Sequence, residues 1–98
     1  MRNYSKLSLR TVRAEDRFTE QLESLGIDIG HWDEVFSNGL EFVLARNPES
    51  FHQLKGSPLR VATVECYRDL PLLKVLFVFD HDHVYLLDIY LGEGIEDE

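Results

Sequence analysis

An α+β domain is predicted by two features of this sequence. The spacing of apolar residues switches from helical to alternating near residue 58, and the alternating part consists of three consecutive runs rich in valine, leucine and aromatics. The expected architecture is an N-terminal strand, two helices and then a three-stranded antiparallel meander, with the helices packed on one face of the sheet. Ninety-eight residues form a single domain, 1 to 98, and 44% hydrophobic residues are enough to build a core.

The stretch SKLSLRTV sets Leu7 and Leu9 on one side and Lys6, Ser8 and Arg10 on the other, which reads as a short half-buried strand. From Ala14 the period becomes helical: Phe18, Leu22 and Leu25 recur at i, i+4 and i+7, and Gly26 supplies the stop. Beyond a linker IDIG, the residues Trp32, Val35, Phe36, Leu40, Val43 and Leu44 form a second stripe. It ends at Asn47-Pro48, because a residue before proline avoids the α region. Gly39 inside this helix is a weak point, worth about 1 kcal/mol against alanine. A loop, ESFHQLKGSP, leads to the strands LRVATVECY, LLKVLFVFD and HVYLLDIYL. They are separated by Arg68-Asp69-Leu70-Pro71 and by a histidine-aspartate stretch.

Charge narrows the classes of partner. Residues 1 to 17 carry Arg2, Lys6, Arg10, Arg13 and Arg17 against Glu15 and Asp16, a net of +3, so the remainder carries −11 of a total of −8. Such a field repels phosphate, and nucleic acid is disfavoured as a partner unless the cations cluster; basic proteins or peptides match better. Cys66 is the single cysteine and cannot form an internal disulfide. No stretch has the length or apolarity of a membrane span or a signal peptide, so a reducing, cytoplasmic setting and no membrane are expected.

Residues 79 to 84 read FDHDHV, and carboxylates beside imidazoles raise the question of a metal or acid/base site. Asp80 should end one strand and His83 or Val84 begin the next, leaving His81 and Asp82 as the turn. Zinc would need ligands converging on one point, whereas successive strand residues point to opposite faces and no second cluster adds ligands. The hairpin turn is the preferred reading; no metal and no cofactor is expected.

Parity then sorts the strands. If the helices cover Ala62, Val64, Cys66, Val75, Phe77, Phe79, Tyr85, Leu87 and Ile89, the other face carries Val61, Thr63, Glu65, Tyr67, Lys74, Leu76, Val78, Val84, Leu86, Asp88 and Tyr90. Within it Val61, Leu76, Val78, Leu86 and Tyr90 form an apolar patch, expected to bind a protein partner or a second copy of the chain, or to be covered by the chain's own termini. Lys74, between Glu65 and Asp88, is expected to form a structural ion pair.

Two helices, then Asn47-Pro48, a loop with Leu54-Lys55-Gly56, and the strands LRVATVECY, LLKVLFVF and HVYLLDIYL together resemble the RelE/ParE superfamily of toxins from bacterial toxin-antitoxin modules. The resemblance covers nearly the whole chain and rests on loose motifs. It implies a toxin silenced by a peptide antitoxin that wraps the domain. The activity implied is ribosome-dependent messenger RNA cleavage or inhibition of gyrase. It also implies that Lys74, Arg60 and Arg68 serve catalysis and that Lys55 contacts a nucleic-acid backbone. Where the family's last strand ends in lysine or arginine, this chain has Gly92 and Glu93, followed by Ile95-Glu96-Asp97-Glu98. Cleavage needs cationic stabilisation of the developing phosphorane as well as an acid and a base. A catalytically inactive, acidic protein-binding module of the same fold is therefore the alternative expectation.

Overall fold

The computed structural model describes residues 10–64 and 72–92. The order of elements is β1 (Thr11–Ala14), α1 (Asp16–Ser24), α2 (Ile29–Val35), a π-helical turn (Phe36–Leu40), α3 (Glu41–Arg46), a 3₁₀ turn (Pro48–Ser50), β2 (His52–Gln53), β3 (Arg60–Val64), β4 (Leu73–Phe79) and β5 (His83–Leu91). One mixed sheet runs β1-β5-β4-β3-β2, and β1 lies parallel to β5 while all other pairs are antiparallel. The α+β architecture with helices against one side of the sheet is thus as expected. The meander gains two edge strands: β1 on β5, and the short β2 within the stretch read as loop.

A strand is found at Thr11 to Ala14, which overlaps the end of SKLSLRTV. Its paired residues are Thr11 to Ala14, opposite His83 to Leu86, while residues 1 to 9 lie outside the described residues. The first helix buries Phe18 and Leu22, and Gly26 ends it at φ +79°, a conformation that costs glycine least. Asp28 caps the next helix by accepting the His31 N–H at 2.9 Å, so that helix starts inside the IDIG linker.

The second stripe holds only in part, and the π turn is the reason. Trp32 is buried between Phe18, at a centroid distance of 5.8 Å, and Phe36, at 5.4 Å. An extra residue in the π turn then rotates α3 relative to α2, so Leu44 and Ala45 enter the core while Val43 faces out at 41% exposure. Gly39 falls in this turn, with open space where a side chain would be.

The core lies between the helices and the sheet: Phe18, Leu22, Trp32 and Leu44 meet Ala62, Leu73, Val75, Phe77, Val84, Leu86 and Ile89. Each of the larger aliphatic and aromatic side chains contributes roughly 1.5–3 kcal/mol by leaving water. Arg60 fastens the turn before β2 to this core. Its Nη1 donates to the carbonyls of Glu49 at 3.2 Å and Phe51 at 2.8 Å, and its Nη2 donates to Gln53 Oε1 at 3.2 Å.

Candidate interaction face of the sheet

The face of the sheet turned away from the helices is set by strand register. Val61 pairs with Leu76, Thr63 with Lys74, Leu76 with Asp88, Lys74 with Tyr90 and Val78 with Tyr85. Pairing partners project to the same side, so Val61, Thr63, Lys74, Leu76, Val78, Tyr85, Asp88 and Tyr90 share this face. Val61 is buried at 8% exposure, and Leu76, Val78, Tyr85 and Tyr90 are half-buried. The Tyr90 phenol is held above its ordinary pKa by partial desolvation and then by the nearby Asp88 charge, the signature of a face that is only partly wet.

Leu86 corrects the parity reading. It was expected on this face with Val84, but Val84 is fully buried and Leu86 is 2% exposed, both in the core with Phe77. The cause is a β-bulge. Leu76 pairs with Asp88 while the next residue, Phe77, pairs with Leu86, which leaves Leu87 as the extra residue on β5. Before Leu87 the strand follows one parity and after it the other, so Tyr85 moves out while Ile89, Asp88 and Tyr90 stand where alternation placed them. The adjacent pair Leu86-Leu87, which breaks an otherwise strict alternation, is the sequence signal for this.

The cations expected to act together are dispersed. Arg60 pairs with Phe77 and so lies on the helix side, its guanidinium 5.5 Å from the Phe79 ring centroid. Lys74 lies on the opposite face. Lys55 is exposed in the loop between β2 and β3, beside Gly56 at φ +75°. Arg68 and Glu65 lie outside the described residues. Asp88, one of the two carboxylates expected around Lys74, has its Oδ2 3.1 Å from Arg17 Nε, a bond that links α1 to β5.

At the β4–β5 turn the aspartates do what their local chemistry suggests. Asp80 Oδ1 accepts the N–H groups of Asp82 at 2.9 Å and His83 at 2.8 Å, and the Asp80 N–H donates to the His83 carbonyl at 2.9 Å. Those two backbone donors, that of Asp82 first, hold the Asp80 carboxyl below its ordinary pKa. Tyr85 Oη donates to Asp80 Oδ2 at 3.4 Å, and the His83 ring stacks on Tyr85 at 5.5 Å. His81 and Asp82 are exposed. Among the described residues no three histidine, cysteine, aspartate or glutamate side chains are grouped to hold a metal ion, and no helix is long and apolar enough to cross a membrane.

No family model, curated protein or solved structure matches the chain.

Proposed function

We propose that this chain is an acidic, catalytically inactive protein-binding module, built on the plan of strand, two helices and meander that resembles RelE/ParE toxins, and that it receives a partner peptide of the antitoxin kind on the open face of its sheet. The observation that carries this reading is the placement of Arg60 and Lys74 on opposite faces. Phosphoryl chemistry needs its cations around one reacting group, and a sheet keeps these two apart. The open face instead offers the half-buried Leu76, Val78, Tyr85 and Tyr90 on the adjacent strands β4 and β5, with Val61 buried beside them. An apolar surface opposite the helices is suited to a strand or helix of a partner. Acidic groups nearby would orient a partner carrying basic residues and speed its docking.

The test has two arms. Inducing the chain alone in a bacterial host should leave growth, messenger RNA and gyrase activity unchanged; growth arrest with cleaved messenger or inhibited gyrase would favour the toxin. For the interface, Leu76→Glu with Val78→Glu should release a co-purifying partner while leaving the domain folded. A complex that survives this pair of substitutions would place the partner elsewhere.

A further inference from the structure

Apart from the open sheet face, the outer edge of β3 is only partly covered. β2 pairs with it at Arg60 and Val61. The Leu59 carbonyl accepts the Leu54 N–H at 2.8 Å on that edge. By the two-residue period of a strand, the main-chain groups of Val61 and Thr63 therefore point the same way, while those of Ala62 and Val64 point to β4. Thr63 lies beyond the end of β2, and among the described residues nothing takes up the hydrogen bonds of its edge N–H and C=O. Such groups are a template for another strand.

A groove of about 250 Å³ opens beside this edge, lined by Val35, Asn38, Gly39, Leu40, Thr63 and Val64. Val35, Leu40 and Val64 are half-buried and form its apolar wall. Asn38 is exposed, and its amide makes no hydrogen bond among the described residues. Gly39 has open space where a Cβ would stand. The helical part of the lining belongs to the π turn and the residue before it, and π turns recur at functional sites. Just ahead, Asp33 and Glu34 on α2 are exposed, and neither forms an ion pair among the described residues.

We propose that this edge receives an extended peptide segment of a partner protein, antiparallel to β3, with an aliphatic residue and a lysine or arginine two positions from it. The peptide residue opposite Thr63 exchanges both main-chain hydrogen bonds with it. The residues on either side of that one project to the helix side of the sheet, so an aliphatic side chain enters the groove against Val35, Leu40 and Val64. The basic residue, on the same side by parity, is the complement to Asp33 and Glu34 on a chain of net −8. The edge is short because β2 already occupies Arg60 and Val61, so specificity rests on the groove and the charges. Val35 and Leu40 lie on the helix side, which makes this site separate from the open face.

The experiment is an NMR titration of the isotope-labelled full chain with the acetylated and amidated peptide Lys-Thr-Leu-Thr-Lys. The amide signals of Thr63 and Val64 and the side-chain amide of Asn38 should shift at peptide concentrations up to ~1 mM. N-methylation of both peptide threonines, or replacement of both lysines by glutamate, should each weaken binding at least about tenfold. Gly39→Leu puts a side chain into the open space at the groove and should weaken binding as much, with the spectrum of the folded chain retained. Leu76→Glu with Val78→Glu, which disrupts the open face, should leave this binding unchanged. Three results would each overturn the proposal: no shift at ~1 mM peptide, shifts confined to the open face, or an N-methylated peptide that binds the wild type as well as the parent peptide. The peptide variants are read on the wild-type chain, so a folding defect cannot imitate their effect.

Discussion

The two halves of β5 differ in a way that neither composition nor hydrophobicity explains. Val84 and Leu86 in the first half are core residues; Asp88 and Tyr90 in the second half, at positions of the same parity, stand on the open face. The single extra residue Leu87 separates them. A sheet has a side-chain period of two, so one inserted residue exchanges inside and outside for everything beyond it. The face of a strand is therefore a property of its pairing rather than of its residues taken alone.

A charge placed on either face beside the bulge should separate the two environments most clearly. Leu86→Glu places a carboxylate among Phe77, Val84 and their neighbours and should cost about 4 kcal/mol or more, enough to unfold a marginal domain. Leu76→Glu, on the open face opposite Asp88, should cost only about 1 kcal/mol. Urea midpoints of the two variants measure the difference directly, and equal midpoints would mean that Leu86 is not a core residue. For the same reason Leu86 is unsuitable as a probe of partner binding.

A second test concerns the end of β5. A Cβ on Gly92 would lie 2.6 Å from Leu72 Cγ, and the Gly92 N–H donates to the Leu72 carbonyl at 2.8 Å. Gly92→Arg should therefore destabilise by about 1–3 kcal/mol through overpacking. Smaller still is the expected effect of deleting Leu87. With the extra residue gone, Leu86 and Asp88 would keep their faces in a regular ladder, and the loss should be about 1–2 kcal/mol with the fold retained. Unfolding by this deletion would show that the bulge shapes the packing of α1 on β5.

At the start of β5 the contrast between its ends can be probed with pH. The folded Asp80 carboxyl lies below its unfolded value of 3.8, so its stabilisation is complete above that value and is lost as pH falls through the lower folded one. The stability difference between wild type and Asp80→Asn should be constant near neutrality and should vanish on strong acidification. Parallel acid titrations of the two proteins would not converge if the turn were held by other contacts. The smallest effect is expected for Arg17→Ala, which removes the bond to Asp88. With the Arg17 side chain 75% exposed, the cost should be about 0.2–1 kcal/mol and should shrink in salt.

The features legible from residue order are local ones. The limits of β5 coincide with the run HVYLLDIYL, the first helix ends where Gly26 allows positive φ, and the Asp80 turn follows from a carboxylate two and three residues from the N–H groups it accepts. Each of these depends on contacts within a few residues, which residue types and spacing encode. Long-range packing was needed to decide that Thr11 to Ala14 pair beside β5, and that β1 runs parallel to it. Packing also made the π turn send Val43 outward and the bulge draw Leu86 inward. The same packing put Arg60 and Lys74 on opposite faces of the sheet. These outcomes depend on register, where one residue of slip along a strand or a helix changes every neighbour. The energy that selects one register comes from burying Phe77, Leu86 and Leu44 against residues distant in the chain, and that sum cannot be read from any single stretch.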